Sequence, residues 1–255
     1  MADTTILAER QRATDAGRCQ LYCAVDTGDM ARARDLVAAV GRHVDGIKLG
    51  LEFYFAQGPD GARAIAEACG LPIFLDLKLH DIPNTVAGGM RSLRALAPHY
   101  VTIHAAGGRA MLRAACDMAA ENAAATGKLA TRVLGVTVLT SIDDRDLAET
   151  GIVCAASDQV RRLAALAADA GCPGIVASPL EIGLVRATCG PAVDIVTPGV
   201  RPHGSAVGDQ KRLMTPREAA DAGATAVVVG RPITAAPDPA AAARAIAASL
   251  ATPPR

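Results

Sequence analysis

The chain has 255 residues, and half of them are apolar, so it can bury a core of the size found in one (β/α)8 barrel, which needs about 250 residues. Its 26 Lys and Arg residues balance 26 Asp and Glu residues, so no net field attracts it to nucleic acid or to an anionic membrane. Aromatic residues are scarce and tryptophan is absent, which also argues against a surface that stacks bases.

Seven cysteines are spread along the chain, and no two of them form a Cys-x-x-Cys pair. An odd number without paired spacing argues against a disulfide framework or a zinc site, so we predict reduced thiols in a cytoplasmic protein. The N-terminal residues lack the apolar region of a secretory signal. No apolar stretch approaches the roughly 18 residues that a membrane-spanning helix needs, so we expect no membrane partner.

Short apolar runs alternate with helix-length segments along the whole chain. We predict eight strands, at Gln20–Val25, Gly46–Leu49, Ile73–Leu77, Tyr100–His104, Arg132–Val138, Gly174–Ala177, Asp194–Thr197 and Ala226–Val229. Eight strand–helix repeats predict an α/β fold in which a parallel sheet closes into a single-domain (β/α)8 TIM barrel. A doubly wound open sheet is the alternative, but no Gly-x-Gly-x-x-Gly motif follows the first strand.

Apolar residues also recur at helical spacing between the strands. Helices are predicted at Asp29–Val40, around Leu93–Ala97, around Val160–Ala167 and, with Asp238 as N-cap, at Ala240–Leu250. No linker or low-complexity tract divides the chain. We therefore predict one catalytic barrel over residues 20–250, an N-terminal extension over residues 1–19 and a C-terminal tail over residues 251–255.

The most informative stretch runs from Asp76 to Asp81, because it places three charges where a buried strand ends. Side chains alternate along a strand, so Asp76 and Lys78 point the same way, about 6–7 Å apart along the chain. Charges at the mouth of an apolar sheet are costly to desolvate unless they hold one another. Such groups cluster at functional sites, although a structural ion pair is the alternative.

Other strand ends carry polar residues as well. Lys48 lies between apolar neighbours near the end of the second strand, where a solvated surface lysine is hard to accommodate. Asp26 ends the first strand, where it serves either a site or the N-cap of the following helix. Thr140 and Ser141 follow the fifth strand, where their hydroxyl groups either bind a ligand or cap a helix.

The loops after the seventh and eighth strands contain candidate anion ligands. In this fold these loops, together with a helix N-terminus, form the usual phosphate site. Gly230 allows close approach of the backbone, and Arg231 supplies a cation that can bind a phosphate with two hydrogen bonds. Arg201 and Gln210 add further donors. An ordinary Gly- and Pro-rich surface loop is the alternative, and the spacing of His and acidic residues predicts no metal site.

The segment Phe74–Val86, with its Asp-Leu-Lys-Leu-His-Asp-Ile-Pro-Asn-Thr core, resembles the signature of the orotidine 5′-phosphate decarboxylase family of the common bacterial type. The resemblance extends from Gln20 to Ala235. Further matches are Ala24–Asp26, Ile47–Gly50, Val138–Ser141, Thr197–Pro202, Gly208–Arg212 and Val229–Ile233.

The resemblance implies a homodimeric enzyme that decarboxylates orotidine 5′-monophosphate to UMP, the last step of de novo pyrimidine synthesis, without a metal or an organic cofactor. It implies that Lys78 donates the proton to C6 and that Asp76 lies beside the departing carboxylate. Asp26 and Lys48 would hold the ribose hydroxyl groups. Asp81 is expected to continue the alternation of charges from the partner subunit.

The same resemblance assigns the remaining site residues. Thr85, like Asp81, would reach into the partner's site, and Thr140 and Ser141 would contact the pyrimidine. The phosphate and its loops would involve Pro198, Arg201, Gln210, Gly230 and Arg231. Two alternatives stay open, namely a Mg²⁺-dependent sugar-phosphate lyase or aldolase on a related barrel and a non-catalytic nucleotide-binding barrel. The run from Ile82 to Thr85 and the loop around Gln210 argue against the first.

Overall fold

Eight parallel strands form a closed barrel in this computed structural model, which describes residues 18–202 and 214–251. Each strand pairs with the next one in the sequence, and the eighth pairs with the first. The strands are β1 Gln20–Ala24, β2 Gly46–Leu49, β3 Ile73–Leu79, β4 Tyr100–His104, β5 Arg132–Val136, β6 Gly174–Val176, β7 Asp194–Pro198 and β8 Ala226–Val229. The predicted TIM barrel is therefore confirmed.

Helices follow the strands and cover the outside of the barrel. Within the described residues they are α1 Met30–Val40, α2 Leu51–Cys69, α3 Pro83–Ser92, α4 Arg109–Thr126, α5 Asp144–Glu149, α6 Ala156–Asp169, α7 Ile182–Cys189, α8 Pro216–Asp221, α9 Arg231–Thr234 and α10 Pro239–Ala251. In this part of the chain, no helix combines the length and the apolar character needed to cross a bilayer.

The predicted elements differ from the observed ones mainly at their ends. Strand boundaries shift by one or two residues, as is usual where a ladder of hydrogen bonds ends. The helix expected around Leu93–Ala97 is wrong, because α3 ends at Ser92. Pro98 disfavours a helical backbone at the residue before it, and Ala97 adopts a φ of 47°. Leu93 is nevertheless buried, so the apolar spacing reflects packing of a turn.

The interior of the barrel is filled by side chains that alternate along the strands. Three aromatic rings, those of Tyr22, Phe74 and Tyr100, contact one another there, with centroids 5.6–5.9 Å apart. Such ring pairs add about 0.5–1.5 kcal/mol each beyond the burial of their area. Gly46 on β2 makes room for them, since a Cβ at this position would overlap the Tyr22 ring. The aromatic layer closes the floor below the barrel mouth.

The alternation of side chains along each strand also determines which residues lie at the mouth of the barrel. Tyr22 and Ala24 face the barrel interior, and Asp26 follows at the same spacing of two. On β3, Asp76 follows the interior ring of Phe74 in the same way. The acidic groups therefore stand at the carboxyl ends of the strands, the end at which barrels of this type carry their active sites.

All seven cysteines lie within the described residues and carry free thiols. Cys116 on α4 and Cys172 before β6 have their sulfur atoms 3.8 Å apart. These two sulfur atoms are therefore in contact between α4 and the segment before β6.

Candidate active site

Four charged side chains from three neighbouring strands form one alternating chain at the barrel mouth. Lys48 Nζ lies 3.1 Å from Asp26 Oδ1 and 3.6 Å from Asp76 Oδ2. Lys78 Nζ lies 2.8 Å from Asp76 Oδ1. We call the series Asp26–Lys48–Asp76–Lys78 the four-charge chain. It contains two cations and two anions, so each charge has a partner of opposite sign.

The middle of the four-charge chain is withdrawn from water. The side chains of Lys48 and Asp76 are 11% and 17% exposed, whereas that of Asp26 is 53% exposed. Burial alone would raise the pKa of Asp76, but Lys48, Lys78 and the hydrogen bonds from Lys78 and Thr102 hold that pKa below its usual value. Asp76 is therefore ionised at neutral pH and balances both lysines.

Lys78 occupies an irregular position in β3. Leu75 pairs with Val101 and Leu79 with Ile103, so four residue steps of β3 lie beside two steps of β4. Lys78 has a φ of 50°, a left-handed conformation that costs a non-glycine residue about 1–2 kcal/mol. Bulges of this kind re-aim side chains and are common near active sites. This bulge turns the ammonium group of Lys78 towards Asp76.

A cavity of about 240 Å³ opens beside the four-charge chain. Lys48, Asp76 and Lys78 line one wall, and Thr140 and Ser141 line it from the loop after β5. The rest of the lining is mainly apolar and includes Phe74, Val136, Val196, Pro198 and Val228. The cavity therefore combines an apolar body with a few converging polar groups, the usual composition of a small-molecule site.

The candidate phosphate ligands lie at the ends of β7 and β8. A Cβ at Gly230 would stand 4.0 Å from Asp26 Oδ2, so this glycine borders the four-charge chain. Arg231 is the first residue of α9, and Arg201 is half-buried. Gln210 lies outside the described residues. Among those that are described, Arg201, Gly230 and Arg231 stand outside the lining of the cavity, so their role as a phosphate anchor stays a prediction.

Asp81 and Thr85 lie apart from the four-charge chain. Both side chains are exposed at the start of α3, and Asp81 accepts a hydrogen bond of 2.6 Å from the backbone N–H of Ile82. In the described part of a single chain, no ion pair joins Asp81 to Lys48 or Lys78. The expected alternation of Asp81 with the lysines is thus not formed within one subunit, where Asp26 takes the second anionic place.

Known proteins of similar sequence and fold identify the family. The family model described as "Orotidine 5′-phosphate decarboxylase / HUMPS family" matches residues 20–246. The chain belongs to the orotidine 5′-phosphate decarboxylase family. An orotidine 5′-phosphate decarboxylase of Paramagnetospirillum magneticum is 51% identical over 90% of this chain and 97% of the relative. That of Moorella thermoacetica is 51% identical over 91% of this chain and 92% of the relative.

A solved structure gives the same result. The crystal structure of orotidine 5′-phosphate decarboxylase from Lactobacillus acidophilus superposes with a TM-score of 0.79 at 34% sequence identity. It covers 92% of this chain and all of the other chain. The family predicted from the segment Phe74–Val86 is therefore confirmed, together with the barrel.

For this member of the orotidine 5′-phosphate decarboxylase family, the helix caps answer two questions left by the sequence. Asp29, not Asp26, caps α1 by accepting hydrogen bonds from the N–H groups of its first turn. Asp143 caps α5 with a reciprocal bond to Asp146. Asp26 and the hydroxyl groups after β5 are thus not needed as caps, and they stay candidates for substrate binding.

Thr102 is a site residue that the sequence reasoning missed. This β4 residue is 1% exposed, and its hydroxyl group bonds both Asp76 and the backbone of Lys78. A signal was present, because Thr102 lies two residues after the interior Tyr100 and shares its face of the strand. A threonine within an apolar β4 is also typical of ordinary strand packing, so its residue type did not single it out.

His104 stands two residues further along the same face. Its ring lies 5.4 Å from that of His80, measured between centroids. Burial lowers the pKa of His104, and His80 and Lys78 lower it further, while Asp76 acts in the opposite direction. His104 is therefore neutral at pH 7 and leaves the charge balance of the decarboxylase site unchanged.

Proposed function

We propose that this chain decarboxylates orotidine 5′-monophosphate to UMP at the cavity bordered by the four-charge chain. The family and its relatives of about 51% identity support the reaction. The observation that carries the assignment of the site is the ammonium group of Lys78, held 2.8 Å from Asp76 at the cavity wall. The proposed role of the enzyme is the last step of de novo pyrimidine synthesis.

The reaction requires a group that stabilises a carbanion without an electron sink. Cleavage of the bond between C6 and the carboxylate releases CO2 and leaves the electron pair on C6, in the plane of the ring. A fixed ammonium group in a site with little water stabilises this charge far more than water does. Lys78 then transfers a proton from Nζ to C6 and regains one from solvent. Arginine would not serve here, because its guanidinium group does not release a proton at neutral pH.

Asp76 has two proposed roles beside Lys78. Its carboxylate balances the positive charges of Lys48 and Lys78, because it lies within 4 Å of both ammonium groups. It also lies on the wall where the departing carboxylate of the substrate would sit, so it disfavours the charged ground state relative to the transition state. The four-charge chain is thereby preorganised before the substrate arrives.

Substrate binding is proposed to use the residues around the rest of the mouth. Asp26 and Lys48 hold the ribose hydroxyl groups, and Thr140 and Ser141 contact the pyrimidine from the opposite loop. Pro198, Arg201, Gln210, Gly230 and Arg231 belong to the loops proposed to bind the phosphate. The phosphate is remote from C6, so its binding energy can be used to position the reacting carbon.

We further propose a homodimer in which Asp81 and Thr85 contribute to the partner's site. Every residue from His80 to Thr85 is exposed in a single chain, including Ile82, which is 66% exposed. Leu51 and Phe55, at the start of the neighbouring α2, are also exposed, and Phe55 is 82% exposed. Large apolar side chains exposed together at one end of the barrel support an interface with a second copy.

The proposed compartment is the cytoplasm. Seven free thiols, several of them only partly buried, are compatible with a reducing environment.

A decisive test follows the ultraviolet absorbance of orotidine 5′-monophosphate incubated with purified protein that has been dialysed against EDTA. We expect the absorbance of the substrate to disappear and UMP to form, at a rate that added Mg²⁺ does not change. Activity lost on chelation and restored by Mg²⁺ would favour the sugar-phosphate lyase or aldolase. Binding of UMP without turnover of the substrate would favour a nucleotide-binding barrel. The contacts of Asp76 with two lysines argue against the first alternative, since Mg²⁺ would have to displace an ammonium group.

The dimer is tested by sedimentation of the Ile82→Glu variant. We expect wild-type protein to sediment as a dimer and the variant to shift towards the monomer, with loss of activity at low protein concentration. Leu129→Glu is the matched control, because Leu129 is exposed after α4, away from the start of α2 and α3. A monomeric, fully active wild-type protein would contradict the shared site.

A further inference from the structure

We infer that Thr102 is a positioning residue, whose single hydroxyl group fixes both the carboxylate of Asp76 and the backbone of Lys78. This inference rests on the proposed decarboxylation and goes beyond it, because Thr102 does not line the cavity. The hydroxyl donates to Asp76 Oδ1 at 2.9 Å and accepts from the Lys78 N–H at 2.9 Å. It thus connects the two charged groups nearest the reacting carbon.

The bulge in β3 explains why Lys78 needs this bond. Where Leu75 and Leu79 pair regularly with β4, the residues between them leave the ladder. A backbone N–H that leaves the ladder and is withdrawn from water costs about 1–3 kcal/mol if it finds no acceptor. The hydroxyl of Thr102 provides that acceptor from the side chain of β4. It therefore stabilises the left-handed backbone that turns Lys78 out of a regular strand.

The second bond of the hydroxyl acts on the carboxylate. Asp76 Oδ1 receives both the Lys78 ammonium and the Thr102 hydroxyl, and Oδ2 faces Lys48. These three directed contacts hold the carboxylate between the two lysines. Thr102 is buried on the same interior face as Tyr100, so its own rotamer is held by packing.

Loss of the hydroxyl should therefore misplace the Lys78 ammonium group while leaving the apolar lining of the cavity intact. A displacement of this kind weakens interactions made with the transition state more than those made with the substrate. The expected signature is a lower kcat with a nearly unchanged KM. A role in packing alone would lower the thermal stability without this split.

The experiment compares Thr102→Val, which keeps the shape and removes the hydroxyl, with Thr102→Ser, which keeps the hydroxyl. We expect Val to lower kcat about 10- to 100-fold with KM within about threefold, the effect of a lost hydrogen bond to a charged group. Serine should restore kcat to within a few-fold of wild type. If the Val variant does not fold, Thr102→Cys takes its place, because a thiol is of similar size and only a weak donor.

Thr137→Val is the matched control. Thr137 is another buried threonine, directly after β5, and its hydroxyl donates to the Val176 carbonyl at 3.1 Å instead of to a member of the four-charge chain. We expect this variant to keep the wild-type kcat. Wild-type kcat in Thr102→Val, or an equal loss of kcat in Thr102→Ser and Thr102→Val, would overturn the inference.

A measurement without substrate separates this inference from the proposed function. In a ¹³C NMR titration of the Asp76 carboxyl group, Thr102→Val should raise the pKa of Asp76, because a hydrogen bond that favours the ionised form is lost. Thr102→Ser should not. This result would support the positioning role even if the wild-type protein did not turn over orotidine 5′-monophosphate, and an unchanged titration in the Val variant would contradict it.

Discussion

Lys78 Nζ lies 2.8 Å from Asp76 Oδ1, although the two residues belong to a strand whose backbone leaves its regular course between them. In a flat strand their side chains would stand side by side about 6–7 Å apart along the chain. Lys78 has a left-handed φ of 50° instead, and its ammonium group joins the four-charge chain. A local backbone irregularity thus places the proposed proton donor.

Replacement of Lys78 by Ala should abolish turnover and leave a folded protein. The variant loses both the cation that stabilises the C6 carbanion and the proton that quenches it, so we expect kcat to fall by at least about 1000-fold. The decay of substrate absorbance measures the rate, and circular dichroism monitors folding. Lys128→Ala is the control, because Lys128 is exposed and its ammonium group donates a hydrogen bond to the Ala95 carbonyl after α3. A near-normal kcat in Lys78→Ala would exclude the proposed proton donor.

Replacement of Arg231 by Ala should weaken binding of the substrate's phosphate group. If Arg231 binds the phosphate from the start of α9, kcat/KM should fall by a factor equivalent to about 2–5 kcal/mol, the usual loss for a desolvated charge contact. Steady-state kinetics with orotidine 5′-monophosphate measure the change. Arg244→Ala, on the exposed face of α10, should leave kcat/KM unaltered. Unchanged kinetics in Arg231→Ala would remove this residue from the anchor.

Replacement of Gly50 by Ala should crowd the outer half of the four-charge chain. A Cβ at this position would lie 3.0 Å from Asp26 Oδ1 and 3.2 Å from Lys48 Nζ. Each of these two atoms must give way by a few tenths of an ångström, and we expect kcat/KM to fall about tenfold, since a misplacement of about 1 Å can cost about 100-fold. Gly183→Ala in α7 is the matched control, because its Cβ would meet open space. Equal kinetics in both variants would show that the pair tolerates displacement.

Because Asp76 is ionised in the folded protein, the free energy of unfolding should depend on pH in the acid range. Burial raises the pKa of Asp76, yet the two lysines and the hydrogen bonds hold that pKa below its value in an unfolded chain, which is near 3.9. The stabilisation is therefore complete above about pH 4 and is lost as the pH falls through the lowered folded pKa. We expect Asp76→Asn to reduce the free energy of unfolding at pH 7 by about 1–3 kcal/mol and to flatten this acid limb.

Urea unfolding at pH values from neutral to strongly acidic measures both effects. Asp60→Asn, an exposed carboxylate on α2, serves as the control and should leave the curve close to that of wild type. An acid limb of wild-type depth in Asp76→Asn would show that other groups cause it.

As the pH is lowered, His99 should cause a separate loss of stability that begins at a higher pH than the loss caused by Asp76. Burial lowers the pKa of His99 to about 4, with a smaller contribution from Arg132. The unfolded chain takes up this proton first, near pH 6.5, so stability falls from about pH 6.5 down to the folded pKa and the loss is then complete. We expect this fall in the free energy of unfolding to be smaller by about 1–3 kcal/mol in the His99→Gln variant. Asp76→Asn is the control, since its effect on stability lies below about pH 4. An unchanged dependence of the unfolding free energy on pH between about 6.5 and 4 in His99→Gln would contradict the role of His99.

Much of the site could be predicted because strand ends and chemistry coincide in this fold. Lys48 was conspicuous as a charge between apolar neighbours, and the structure shows its side chain only 11% exposed, between Asp26 and Asp76. Thr102 was not conspicuous, because threonine is common in strands. The role of Thr102 depends on the bulge in β3, the neighbouring strand, and the sequence of β4 gives no sign of a bulge in another strand.

Asp81 shows the limit in another way. The resemblance implies that Asp81 reaches into the partner's site, and within one chain its side chain is exposed and accepts a hydrogen bond from the backbone N–H of Ile82. The structure of a single chain shows where Asp81 lies in its own subunit, and its role in the partner's site stays a prediction.

The sequence by itself determined the family, the eightfold repeat of strand and helix, and the alternation that sends polar residues to the barrel mouth. These features depend on local periodicity and on residue types at fixed spacing, both of which are written along the chain. Only the tertiary structure decided that Lys48 bridges Asp26 and Asp76, that the backbone bulges at Lys78, and that Thr102 supports both. These relationships arise from the register between neighbouring strands in a closed barrel, and that register depends on how all eight strands pack together.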